Sequence, residues 1–93
     1  MRIEPVNQPG DFRQSSIEGY NVKDINTILG FEPNTTEKDD PGKVWYSWGF
    51  TVDGERCGIW DFNGSYRSEI FSWFGPLEIK NKLFPCPRNN NAE

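Results

Sequence analysis

The clearest pattern along the chain is an alternation of apolar and polar residues between positions 44 and 62. Val44, Tyr46, Trp48, Phe50 and Val52 interleave with Trp45, Ser47, Gly49 and Thr51, and after Asp53-Gly54 the residues Cys57, Ile59 and Asp61 interleave with Arg56, Gly58, Trp60 and Phe62. A period of two marks strands with one buried face, and Asp-Gly between two such runs predicts a two-residue type I′ turn. Fixing the turn fixes the register. Val52 opposes Glu55, Phe50 opposes Cys57, Trp48 opposes Ile59 and Tyr46 opposes Asp61 on one face, predicted to be the core. The opposite face pairs Thr51 with Arg56, Gly49 with Gly58, Ser47 with Trp60 and Trp45 with Phe62.

Elsewhere the period changes to that of a helix. Asn21 is a good N-cap, Asp24 sits favourably on the helix dipole, and Val22, Ile25, Ile28 and Leu29 recur at helical spacing. Gly30, Phe31 and Pro33 end that helix. After the turn-forming Asn63-Gly64-Ser65, Ile70–Phe74 reads as a third strand. Pro76 then opens a second helix whose stripe is Leu77, Ile79, Leu83 and Phe84, with Glu78 near its positive end and Pro85-Cys86-Pro87 as its stop. Ser16–Tyr20 reads as an edge strand or a lead-in, with Gly19 allowing a bend. Residues 1 to 15 show no periodicity and are expected to form a mobile arm or loosely docked extension, residues 34 to 43 a solvated loop, and residues 88 to 93 a disordered tail. The predicted class is α+β: a three-stranded antiparallel meander with one helix before it and one after, in a single domain over 16 to 87.

The 93 residues allow one core of useful size. The hydrophobic fraction is only 34%, but four Trp, three Tyr and seven Phe supply large rings for that core, so a folded chain is expected. No apolar run is long enough for a bilayer span, and the first residues lack the apolar stretch of a signal peptide, so a soluble protein is expected. Fourteen acidic against ten basic residues give a net charge of −4, which argues against direct nucleic-acid binding. Cys57 and Cys86 are too few for a disulfide framework and are expected as free thiols in a reducing cytoplasm, although their pairing stays open. The chain has no histidine, which removes the commonest metal ligand and the base of Ser-His or Cys-His catalysis.

Candidate chemistry therefore concentrates on the second hairpin face. Gly49 beside Gly58 leaves a shallow floor that a flat group can approach, with Trp45 and Trp60 as walls and Ser47 and Arg56 as donors. Three covers suit such a face: the chain's own helix or arm, a protein partner or dimer mate, and a small planar ligand. Glu37, Asp39 and Asp40 in the preceding loop read either as plain solvation or as an acidic rim that imitates phosphates for a basic partner. Asp61 on the core face is expected to accept a hydrogen bond from the Tyr46 hydroxyl, with a general-base role as the alternative. Tyr66, Arg67 and Glu69 lie before the third strand, either solvated or touching a ligand. Cys57 is predicted buried, with no imidazole to activate it. Asn34-Thr35-Thr36 and Asn63-Gly64-Ser65 match the glycosylation sequon but read as loop chemistry.

Gly19-Tyr20, Leu29-Gly30-Phe31-x-Pro33, Lys43-Val44 with Trp48-x-Phe50, Ile59-Trp60-Asp61-Phe62 and Phe71-Ser72-Trp73-Phe74-Gly75 occur in an order that resembles a loose family of small α+β proteins of bacteriophages and other large DNA viruses. The resemblance covers residues 16 to 84. It carries mostly structural residues and no catalytic one, and Asn63 stands where members commonly have lysine. It implies a viral accessory protein acting in a host cytoplasm. The function expected on these grounds is non-catalytic: binding and inhibition of a host protein, such as a nucleic-acid-handling defence complex, through Trp45, Ser47, Gly49, Arg56, Gly58, Trp60 and Phe62, with Arg67 nearby and acidic residues at the rim. The alternatives are sequestration of a planar molecule such as a nucleotide, and an obligate homodimer pairing through this face. No metal or cofactor is expected.

Overall fold

A computed structural model describes residues 1–6, 13–34, 46–61 and 64–85. Their architecture is a five-stranded antiparallel sheet with two helices. The strands are β1 (Ile3–Pro5), β2 (Ser15–Glu18), β3 (Ser47–Val52), β4 (Glu55–Trp60) and β5 (Ile70–Phe74), and the helices are α1 (Val22–Leu29) and α2 (Leu77–Leu83). In space the strand order is β1-β3-β4-β5-β2. The predicted meander is thus the centre of the sheet, and the two N-terminal strands flank it.

The hairpin follows the register that its turn dictates, from Ser47 opposite Trp60 through Gly49 opposite Gly58 to Val52 opposite Glu55. Asp53 and Gly54 both have positive φ, 52° and 87°, as a type I′ turn demands. Its twist matches that of the strands it joins, so no residue is spent on a longer loop.

Alternation then sorts the sheet into two faces. Trp48, Phe50, Val52, Cys57, Ile59, Phe71, Trp73 and Ile17 are all buried and form one cluster with Ile25 and Leu29 of α1 and Phe84 just beyond α2. Rings meet edge to face through this layer, Trp48 with Phe71 at 5.6 Å, Phe50 with Trp73 at 6.0 Å and Trp73 with Phe84 at 6.3 Å, an arrangement that adds quadrupole attraction to the area buried. Both buried indole N–H groups are satisfied: Trp48 Nε1 donates to Asn26 Oδ1 of α1, and Trp73 Nε1 donates to the Gly75 carbonyl, each at 3.0 Å. The short helix α1 is held by a capping box, with Asp24 N–H donating to Asn21 Oδ1 at 2.8 Å and Asn21 N–H donating to Asp24 Oδ2 at 3.1 Å. It ends at Gly30, as the sequence requires.

The N-terminal reading needs correction. Residues 1 to 15 were expected as an arm without an element, yet Ile3–Pro5 pairs with β3, Ile3 opposite Val52 and Pro5 opposite Phe50. Asp53 N–H donates to the Arg2 carbonyl at 2.8 Å, and Arg2 N–H donates to Asp53 Oδ1 at 2.7 Å, so the hairpin turn itself holds the strand's start. Ser15 likewise belongs to β2, which pairs with β5 and forms the other edge of the sheet. Of the expected solvated loop over residues 34 to 43 only Asn34 is described, and its side chain is hydrogen-bonded to Val6 and Gly49 instead of solvated. Residues 35 to 43 and the tail 88 to 93 lie outside the described residues.

Candidate functional site

On the sheet face opposite the helices, strand register sets the composition. Across its middle, Gly49 of β3, Gly58 of β4 and Phe74 of β5 stand side by side; in the next row lie Ser47, Trp60, Ser72 and Ser16. Thr51 pairs with Arg56 and with Glu4 above the glycines, and Ile70 pairs with Glu18 at the opposite end. Small residues dominate the rows, yet Gly49 and Gly58 are themselves buried, so the backbone of the two strands is reached only past the larger groups around it. Trp60 and Phe74 are half-buried, Arg56 is exposed, and Ser47 is buried. The guanidinium of Arg56 stands 5.9 Å from the Phe74 ring centre, within cation–π range. Neither described helix lies on this side, because α1 and α2 both send their apolar residues into the cluster beneath the other face.

A side chain holds one margin of the floor. Beyond Val6, where β1 has ended, the Asn34 amide takes over as a strand would: Gly49 N–H donates to Asn34 Oδ1 at 2.8 Å, Asn34 Nδ2 donates to the Gly49 carbonyl at 3.0 Å and to the Val6 carbonyl at 3.1 Å, and Asn34 N–H donates to the Ser47 carbonyl at 3.0 Å. Every polar atom of that amide has a partner, which ties Asn34 to structure and leaves no room for a glycan at this sequon.

The expected site residues divide into three groups. Ser47, Gly49, Arg56, Gly58 and Trp60 share the face in the arrangement the register predicts. Trp45 and Phe62, the proposed outer walls, and Glu37, Asp39 and Asp40, the proposed acidic rim, lie outside the described residues. Arg67 goes elsewhere: it stands 5.3 Å from the Tyr66 ring centre, and Tyr66 packs edge to face on Tyr46 at 4.9 Å against the core cluster. Phe74 stands on this face instead. Its membership was readable from alternation in Ile70–Phe74, since burying Phe71 and Trp73 turns Ser72 and Phe74 outward.

Two further groups are tied to structure. Asp61 is fully buried and does accept a hydrogen bond from Tyr46, but from its backbone N–H, at 2.6 Å to Oδ1, rather than from the hydroxyl; Asp61 N–H donates in turn to the Tyr46 carbonyl at 3.1 Å. The carboxylate thereby extends the hairpin ladder by one rung. Cys57 is a buried free thiol, and burial, reinforced by the nearby Glu55 carboxylate, pushes its pKa up to about 12 from 9.0. A protonated, enclosed thiol is a poor nucleophile. Because the unfolded chain loses this proton first, the contribution is intact below about pH 9 and is lost as the pH rises toward about 12. Cys57 in the folded protein is expected to resist alkylation at pH 8 and to react fully in urea, as mass spectrometry of iodoacetamide-treated protein would read.

An open concavity of about 470 Å³ lies along α1 between Gly19, Tyr20, Lys23, Asp24, Thr27 and Ile28. Its single carboxylate, Asp24, already accepts the Asn21 N–H at the helix cap. Among the described residues, no three of the Cys, Asp and Glu side chains gather where a metal ion could be held, and no helix is long and apolar enough to cross a membrane.

No family model, curated protein or solved structure matches the chain. What the residues of this face offer is a flat, mostly small-residue surface with two aromatic edges and one cation, a composition suited to contact with another molecule.

Proposed function

We propose that this protein is a non-catalytic binding module that docks another protein through the sheet face opposite its two helices. The observation that carries the reading is the division of labour between faces: both helices and the aromatic core occupy one side, while Trp60 and Phe74 frame a Gly49/Gly58 floor on the other. Half-buried aromatic anchors around a desolvated floor are what protein interfaces use as hot spots. Arg56 over Phe74 adds a preorganised donor. The overall charge of −4 favours a basic partner by steering its approach. In the setting implied by the resemblance to small viral proteins, that partner is a host protein, and a nucleic-acid-handling defence complex has the complementary charge.

A planar small molecule is the second reading, supported by the half-buried rings of Trp60 and Phe74 beside the paired glycines, on which a flat ring could stack. Native mass spectrometry of protein recovered from a candidate host separates the two: a retained small molecule favours the ligand, and a retained protein favours docking. Trp60→Ala is expected to abolish that retention at least tenfold while shifting the melting temperature by less than about 5 °C, because a half-buried ring on this face contributes little to the core. Equal loss of retention and of folding would place Trp60 in the core and remove the proposed surface.

A further inference from the structure

The two edges of the sheet are built differently. β1 is three residues long, carries Pro5 and is crossed by the Arg2–Glu4 ion pair at 2.9 Å, devices that discourage another strand from pairing there. β2 has no proline and no lysine, and its first two residues are serines. Gly19 N–H donates to the Glu69 carbonyl at 2.9 Å, which makes the 19/69 pair a hydrogen-bonded one. Antiparallel alternation then directs the backbone of Ile17 toward β5 and the N–H and C=O groups of Ser16 and Glu18 outward. Among the described residues no strand meets them, since β2 ends the sheet.

The ends of this edge are oppositely charged. Arg13 and Glu18, both exposed, bracket it, with Glu69 beside Gly19 adding to the acidic end. A strand entering antiparallel needs an acid where Arg13 stands and a base where Glu18 stands. The same strand from a second copy, turned by a two-fold axis, supplies both.

We propose that β2 is a self-complementary edge through which two copies associate into a continuous ten-stranded sheet. Each Ser16 N–H donates to the Ser16 carbonyl of the second copy, and the Arg13 end of each strand lies beside the Glu18 end of the other. Serine side chains keep the approach unobstructed. The interface is small, so association is weak, with a Kd on the order of 100 µM. It does not use the Trp60 face of either copy, and it is independent of the docking role proposed for that face.

Sedimentation equilibrium from about 10 µM to about 1 mM tests this, a range that spans the midpoint of so small an interface. The average mass is expected to climb from monomer toward dimer. Ser16→Pro, which deletes an outward N–H and no bond to β5, should stay monomeric with its melting curve retained. Arg13→Glu and Glu18→Arg should each weaken association about fivefold or more, and the doubly reversed chain should regain it to within about twofold, an outcome that a non-self surface would not produce. Should Ser16→Pro fail to fold, the charge reversals alone decide. A wild-type chain that is monomeric throughout overturns the proposal. So does a dimer that survives Ser16→Pro but is lost in Trp60→Ala, which would place the contact on the Trp60 face.

Discussion

Phe50→Ala is expected to abolish the cooperative thermal transition. The ring is fully buried, meets Trp73 edge to face at 6.0 Å and Phe31 at 6.2 Å, and sits on the central hairpin between the two indoles of the core. Its removal costs roughly 3 to 5 kcal/mol, because neighbours held by a sheet cannot collapse into the space. A domain of this size has a total stability of about 5 kcal/mol or little more, so most of it would be lost. Circular dichroism melts of wild type and variant would read this directly. A soluble variant with a sharp transition near that of wild type would mean that the hairpin sends its other face inward.

Gly75→Ala should be almost as damaging, although it adds one carbon instead of removing six. Gly75 follows β5 with φ of 133°, a conformation closed to side-chain-bearing residues, and a Cβ there would lie 2.9 Å from Cys57 Sγ, 3.1 Å from the Arg56 carbonyl and 3.3 Å from Cys57 Cα. Two of those three atoms are backbone of β4 and cannot swing aside. Backbone strain and overpacking together amount to roughly 2 to 4 kcal/mol. Urea denaturation followed by tryptophan fluorescence should show a lowered midpoint. Shortening the thiol in a Cys57→Ala background should recover little of the loss, since the φ and the Arg56 carbonyl are unchanged. Full recovery would assign the whole effect to the sulfur.

Most of the fold is readable locally because its elements carry their own instructions. The Asp53-Gly54 turn sets the hairpin register, Asn21 and Asp24 begin α1, Gly30 ends it, and alternation over Ile70–Phe74 gives the third strand. β1 is different. Ile-Glu-Pro has no periodicity and contains a proline, so nothing within it favours a strand; its conformation is imposed by the exposed edge of β3 and by Asp53 at the turn. The same holds for Asn34, whose bonds to Gly49 depend on a strand 15 positions later in the chain.

At the candidate site, residues whose position follows from the hairpin alone were legible: Ser47, Gly49, Arg56, Gly58 and Trp60. Those positioned by tertiary packing were not. Arg67 is drawn to Tyr66 and the Tyr46 ring; the side of the sheet on which Phe74 stands could be read from alternation in its strand, but its place beside Gly58 depends on the pairing of β5 with β4. The hydroxyl expected to hold Asp61 gave way to a backbone N–H, because a carboxylate at the end of a ladder lies nearer the next main-chain donor than a ring's far tip.

Sheet order also dictates a sequence of assembly. The first eighteen residues supply both outer strands, yet β1 has no template until Phe50 to Asp53 exist and β2 none until Ile70 to Trp73 do. During synthesis the leading end must therefore wait, unpaired, for most of the chain to emerge, and the molecule closes from its middle outward, at the slower pace that distant pairings impose.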